Sequence, residues 1–321
     1  LAQASGSGND KSTKVDYAAT DSSPLQRTWQ FGAGGLNPWR PNENEAIKRT
    51  VTFERDYGPL VVDIYDAQQP SGAAPILLVH GWGGTGNYWE TTAREFAQTT
   101  QVIVPDLPGT GRSQPVHPAQ DMQAQVQTLV DLLDLLNLER VQLVGHSMGG
   151  AMALLLTEQR PERVERIVLT SLSFFMTDVQ VRVYRMVMGM FKLMRPVRKP
   201  WLMRVPGMTH MMAKRYFHNV PDDTALLDQG LRDFLELDPA TATVCADNAT
   251  TPAIPAAGAK VQVPVLLIAC REDGVMPIEN VDYTAETIPD CRVHWIEQCG
   301  HMPMIEKPDE YFAQLRGFLH L

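Results

Sequence analysis

The sequence predicts an α/β protein, a mostly parallel, doubly wound sheet with an inserted helical cap, and three observations carry that prediction. Short continuous apolar runs alternate with helical stretches both early and late in the chain. Small residues around Ser147 join one such run directly to a helix-forming stretch. Between Leu172 and Lys260 the helical stripes continue while buried strands stop, so a large segment interrupts an otherwise regular pattern. The chain therefore divides into a flexible N-terminal extension over 1–45, a core of 46–171 and 261–321, and a helical cap or lid over 172–260.

Taken in order, the extension is rich in Ser, Gly, Asn, Asp and Pro, with Trp29, Phe31 and Trp39 as the few anchors for an otherwise loose arm. Its start, Leu1-Ala2-Gln3-Ala4 before Ser5-Gly6-Ser7-Gly8, reads as the end of an export signal with small residues at A-x-A positions; the alternative is an ordinary tail on a cytoplasmic protein. Two β-rich runs, Val51 to Arg55 and Leu60 to Tyr65, flank Tyr57-Gly58-Pro59 and predict a hairpin. Pro75 to His80 is a strand apolar enough to be buried on both faces, and the glycine-rich loop Gly81 to Asn87 follows it at once. A helix over about Tyr88–Gln98 and a strand over Gln101–Asp106 come next. Met122, Val126, Leu129, Val130, Leu133 and Leu136 form a helical stripe within Asp121–Leu138. Val141 to Val144 predicts the strand before Ser147, a helix begins by Ala151, and Ile167 to Leu169 marks another buried strand. After the cap, strands are expected at Val263–Cys270 and Arg292–Ile296, and helices at about Glu279–Ile288 and Pro308–Leu319.

Composition bounds the function. With 321 residues, 44% hydrophobic and 20% charged, the chain can bury one large core or a core plus a small insert. A net charge of -9 argues against nucleic acid, whose phosphates require a basic face. No apolar run reaches the length of a membrane span. Cys245, Cys270, Cys291 and Cys299 lack metal-ligand spacing. An extended path separates Cys291 from Cys299 by up to about 26 Å, against a disulfide ceiling of about 7 Å. They read as free thiols. The first half of the cap is unusual: Met176, Met186, Met188, Met190, Met194, Met203, Met208, Met211 and Met212 are interleaved with nine Lys and Arg residues, and only Asp178 opposes them before Tyr216. Two readings compete, a lid that touches a lipid-like surface or moulds to a long apolar substrate, and a cap core filled by Met with solvated basic heads.

The chemistry centres on Gly145-His146-Ser147-Met148-Gly149. A sharp strand-to-helix corner needs glycine two residues before and after the serine, because a side chain there would strike neighbouring backbone. It also aims the first N–H groups of the helix at whatever binds beside the serine oxygen. A serine hydroxyl is a weak nucleophile until an imidazole takes its proton, and the imidazole needs a carboxylate to hold its tautomer. Asp273 follows the penultimate strand and His301 the last one, so Ser147, Asp273 and His301 all fall at the carboxyl edge of the sheet, where such sheets place their sites. Glu272 is the competing acid, with a solvated loop carboxylate as its plainer role. His80 is read as a brace of the glycine loop and His146 as a packing or hydrogen-bonding residue of the corner; His117, His210, His218 and His294 carry no motif. Asp106 is expected to fix its own loop, and Arg112 to brace rather than bind substrate.

These motifs, His80-Gly81-Trp82-Gly83-Gly84, Asp106 to Ser113, Gly145 to Gly150, Asp273 to Pro277 and Gly300-His301, resemble those of the α/β-hydrolase superfamily over about residues 50–321, most closely its capped esterase and monoacylglycerol-lipase-like members. The resemblance implies an oxyanion hole from the backbone N–H groups of Trp82 and Met148, and no metal or organic cofactor. One departure is Cys270, which stands where the family usually has glycine three residues before the acid. A serine at the corner argues against the epoxide hydrolases and haloalkane dehalogenases of the superfamily, which use aspartate there. His146 and Met302 replace the Asn and Trp usual in C–C bond hydrolases, and the glycine loop lacks the proline of the iminopeptidases. The expected function is therefore hydrolysis of an apolar small-molecule ester, of medium or long acyl chain or otherwise bulky, through an acyl-enzyme. Acyl transfer, C–C bond hydrolysis and a non-catalytic binding module are the alternatives, and weak contact of the cap with a lipid surface is a further expectation.

Overall fold

The computed structural model describes residues 47–193 and 199–321; the N-terminal extension, with its export reading, and Met194 lie outside the described residues. Eight strands form one sheet: β1 (Lys48–Arg55), β2 (Gly58–Tyr65), β3 (Ile76–Val79), β4 (Val102–Pro105), β5 (Val141–His146), β6 (Val164–Thr170), β7 (Val265–Cys270) and β8 (Cys291–Ile296). Their spatial order is β1-β2-β4-β3-β5-β6-β7-β8. The hairpin strands β1 and β2 run antiparallel, β2 is antiparallel to β4, and every pairing from β4 onward is parallel. The chain leaves β3 toward β4 and β5 toward β6, in opposite directions, so the topological switch point lies between β3 and β5 at their carboxyl ends.

The helices are α1 (Glu90–Phe96), α2 (Met122–Leu135), α3 (Met148–Gln159), α4 (Asp178–Leu193), α5 (Met208–Ala213), α6 (Thr224–Glu236), α7 (Pro239–Asn248), α8 (Ala253–Gly258), α9 (Val281–Thr287), α10 (Pro303–Glu306) and α11 (Pro308–Leu319). They cover both faces of the sheet, which explains the unbroken apolar runs. Leu77 and Val79 of β3 join one buried cluster with Leu129 and Leu133 of α2 and Leu155 of α3. Ile76 and Leu78 join the opposite cluster, with Phe96 of α1 and Tyr311 and Leu315 of α11. Alternate residues thus feed two cores, and each must be apolar.

Strand and helix ends shift by up to three residues from the sequence reading, as at β1, which begins at Lys48 rather than Val51, and two such shifts lie beside the site. The helix after Ser147 begins at Met148, one turn earlier than Ala151, because the chain turns helical as soon as it leaves the serine. The stretch before α1 is a short 3-10 turn over Gly86–Trp89, started by the Thr85 hydroxyl accepting from the Asn87 N–H at 3.2 Å.

The inserted segment between β6 and β7 carries α4 to α8. Ile254 and Ala257 of α8 belong to the same buried cluster as Leu155, so the end of the insert packs into the sheet body. The methionine stretch is mixed. Met188, Met203, Met208 and Met212 are partly covered, while Met176, Met186, Met190 and Met211 are more than half exposed. Filling a cap core accounts for the first group and not the second.

Candidate active site

Ser147 sits at the tip of the β5–α3 corner with φ 52° and ψ -120°, a backbone conformation that side chains rarely adopt. The flanking glycines make it possible. A Cβ on Gly145 would stand 2.5 Å from the Gly149 carbonyl oxygen, and one on Gly149 would stand 2.3 Å from the Val79 carbonyl oxygen. Gly81 brings the glycine loop against the corner in the same way, since a Cβ there would lie 3.2 Å from that of Ser147.

Asp273 and His301 meet although 28 residues apart: His301 Nδ1 and Asp273 Oδ2 are separated by 2.7 Å, and both side chains are 3% exposed. The other carboxylate oxygen of Asp273 accepts from the backbone N–H groups of Val275 at 2.7 Å and Met276 at 3.0 Å. Burial alone would push this carboxyl up; the facing imidazole and the two N–H groups outweigh it and hold it below the ordinary value of 3.8. Because an ionised Asp273 can only accept, Nδ1 of His301 carries its proton and Nε2 is left as the basic atom. Ser147 and His301 line one cavity of about 630 Å³.

Glu272 does not enter this arrangement. Its carboxylate accepts from the Cys299 N–H at 2.9 Å and its own N–H donates to the Cys299 carbonyl at 3.1 Å, tying the acid loop to the histidine loop. Cys270 lies buried at the end of β7, 3.9 Å from the Ser171 hydroxyl, and all four cysteines are free. Gly300 is required where it stands, because a Cβ would meet the Tyr216 carbonyl oxygen at 2.6 Å. The next residue, His301, donates its own N–H to that same carbonyl, also at 2.6 Å.

The remaining candidates fall into bracing positions. His80 Nδ1 donates to the Gly81 carbonyl at 2.9 Å, and its Nε2 accepts from the Leu107 N–H at 3.0 Å. Arg112 grips Asp63 with two nitrogens at 2.8 and 3.0 Å and reaches Asp106 at 2.7 Å. Asp106 also accepts from the Gly86 N–H at 2.8 Å, which fixes the loop. His117, His210 and His218 are exposed, and His294 pairs with Glu310 at 3.1 Å. Trp82 and Met148, the residues of the expected oxyanion hole, both border a small hollow next to Gly81. Met148 is the first residue of α3, where backbone N–H groups have no acceptor within the helix.

Sequence reasoning missed a second layer. The Gly81 N–H donates to the Tyr88 hydroxyl at 2.6 Å, and that hydroxyl in turn donates to His146 Nδ1 at 3.0 Å. His146 Nε2 then donates to the His301 carbonyl at 2.9 Å, so one chain of hydrogen bonds links the glycine loop to the histidine loop. Burial pushes the His146 imidazole down to about 3 and the Tyr88 phenol well up, which keeps both neutral and fixes those roles. Asp233 of α6, also unread, is buried and accepts from the Thr85 hydroxyl at 2.7 Å, the Asn87 amide at 3.2 Å and the Gln229 amide at 2.7 Å. Trp82 adds a second link from the glycine loop to the inserted segment by donating its indole N–H to the Ala242 carbonyl of α7 at 2.9 Å. These partners lie up to 160 residues apart, and no local pattern announces them.

The cavity has two characters. Met212, Tyr216, Phe217, Leu226, Leu227 and Leu231 form an apolar wall, while Glu90 and Asp233 are its only carboxylates among the described residues. No Lys or Arg lines it among the described residues.

This combination of sheet, corner and loops matches the sequence profile of the α/β hydrolase fold over residues 74–308, and the chain belongs to that family. A curated relative, a 2-hydroxy-6-oxo-2,4-heptadienoate hydrolase of Pseudomonas putida, is 29% identical over 306 residues, covering 87% of this chain and 96% of its own. Among solved structures, an esterase from Thermogutta terrifontis has a TM-score of 0.68 at 23% identity, covering 86% of this chain and 98% of its own. An enol-lactonase from Burkholderia xenovorans likewise has a TM-score of 0.68 at 19% identity, covering 84% and 100%. Membership makes the protein a hydrolase by family, with a small molecule as the substrate class.

Proposed function

We propose that the protein hydrolyses neutral carboxylic esters with an apolar acyl or alcohol part, through an acyl-enzyme on Ser147. The observation that carries this reading is the 2.7 Å contact between Asp273 and His301 at the cavity into which the strained Ser147 corner opens. His301 Nε2 takes the proton as Ser147 Oγ attacks the carbonyl carbon. The oxyanion that forms is assigned to the backbone N–H groups of Trp82 and Met148, the donors the family resemblance implies. Collapse breaks the ester C–O bond, and His301 returns the proton to the leaving alcohol. Water then attacks the acyl-enzyme with His301 again as base, releasing the acid and restoring Ser147.

The lining supports a neutral substrate. A carboxylate in this cavity would find, among the described residues, the Asp233 carboxylate, a Glu90 already paired with Arg94, and no lining Lys or Arg to offset its lost hydration. That weighs against transferring the activity named for the P. putida relative, whose substrate is by its name a dienoate anion. The test is a p-nitrophenyl ester series from acetate to palmitate, with a hemisuccinate ester as the anionic comparison. The reading expects a maximum at medium or long chains and roughly a tenfold or greater preference for neutral over anionic acyl groups, the scale of one lost charge contact. A flat chain-length profile, or a preference for the anion, would sink it.

A further inference from the structure

The cap helix α4 turns one face inward and leaves the other without a partner among the described residues. Inward, Tyr184 donates to the Ala246 carbonyl at 3.2 Å, Lys192 pairs with Asp247 at 2.7 Å, and the Gln180 amide reaches Asn280 at 3.2 Å. Outward, Val179, Val183, Met186, Val187, Met190 and Leu193 are between 50% and 81% exposed. At the helical repeat these six positions fall within an arc of about 120°. The helix has 16 residues and is therefore about 24 Å long. Apolar residues scattered singly over a surface call for no explanation, but a continuous stripe of this length marks a site of contact.

Charge narrows the occupant. Arg182 and Arg185 border the stripe on one side, both exposed and without an ion pair among the described residues. Residues 179–215 hold nine Lys and Arg and no Asp or Glu, in a chain whose net charge is -9. A second copy docking by a two-fold contact would bring these arginines against their equivalents. An anionic lipid surface satisfies the stripe and the basic rim together. We propose that α4 lies on an anionic bilayer, its apolar face sunk to the boundary between headgroups and acyl chains and Arg182 and Arg185 among the phosphates. No described helix is long and apolar enough to cross a membrane, so the contact is a peripheral one. It uses no residue of the proposed triad and stands or falls apart from the ester reading.

The experiment is flotation of the full chain, as the Ser147→Ala variant so that no lipid is consumed, with phosphatidylcholine vesicles and with the same vesicles doped with phosphatidylglycerol. Binding is expected to be about tenfold or more tighter to the anionic vesicles. Val183→Glu with Met190→Glu is expected to lose binding to both, and Arg182→Glu with Arg185→Glu to lose the anionic preference. Both pairs should keep the circular dichroism spectrum and melting temperature of the parent, which report an intact fold. Failure of the parent to float with either vesicle overturns the proposal, as does a stripe variant that floats like the parent. A parent that is dimeric by light scattering and made monomeric by the stripe pair would also overturn it, since a second copy would then be the occupant.

Discussion

Ser147 can hold a φ of 52° only because glycines stand where any other residue would collide with backbone. Gly149→Ala should therefore misfold or lower the melting temperature sharply, whereas Gly189→Ala, on an open helix surface with nothing within 4 Å, should be neutral or slightly stabilising. Differential scanning of the two variants checks the contrast. Asp273→Asn preserves shape but replaces the ion that fixes the Nδ1–H tautomer of His301, and a loss of about 10⁴ in kcat is expected, the scale known for such tautomer changes. A loss below tenfold would reassign the acid. His146 carries a pH signature of its own. In the folded chain its imidazole is held at about 3, against an ordinary 6.5, so below 6.5 the unfolded chain takes up a proton that the folded chain refuses. Its contribution is complete above pH 6.5 and declines as pH falls toward 3, amounting to about 2 kcal/mol by pH 5. Chemical denaturation at pH 7 and pH 5 should show that loss in the wild type and a smaller one in His146→Gln, with buried His80, shifted the same way, supplying part of what remains. Equal slopes in both proteins would contradict the assignment.

The glycine loop is the element on which the site's parts converge. Tyr88 and His146 tie it to the histidine loop, and Asp233 and Ala242 tie it to the cap. Asp233 accepts from three donor groups with no cation beside it among the described residues, so its removal strands the buried Thr85 hydroxyl at about 1–3 kcal/mol and frees the less buried Asn87 and Gln229 amides. Asp233→Ala should loosen α6 over the cavity and raise KM about tenfold while kcat changes little, with partial recovery in Asp233→Asn. Unchanged steady-state constants would show that the cap is held by other contacts. At this scale the sequence was legible where burial is two-sided. β3 and β7 are continuous apolar runs because each feeds both cores. The start of α3 was not legible, since Met148-Gly149-Gly150 carries no helix-favouring residue pattern and the turn is imposed by close packing instead. Tyr88 and Asp233 were invisible because their partners, 58 and 148 residues away along the chain, are set by the folded sheet in one case and by where the inserted helices fold back in the other.

At the scale of the whole molecule, charge is divided between surfaces. The chain is acidic overall and its cavity is lined by two carboxylates and no Lys or Arg among the described residues, yet the outer face of α4 in the inserted segment is basic and apolar. Composition announced this separation, because methionine and arginine dominate one stretch; it did not announce that the Met186 and Met190 side chains would stay in solvent, which depends on the rotation of α4 against α7. The order Ser147, Asp273, His301 was readable because strand ends are readable, and the distances between them required the folded sheet. The central claim is that this serine is the nucleophile. Intact mass after treatment with a fluorophosphonate probe tests it most directly. The account predicts one adduct per chain, mapped to Ser147, absent in Ser147→Ala and slowed by orders of magnitude in His301→Ala. An unlabelled wild type, or an adduct that survives Ser147→Ala, would contradict it.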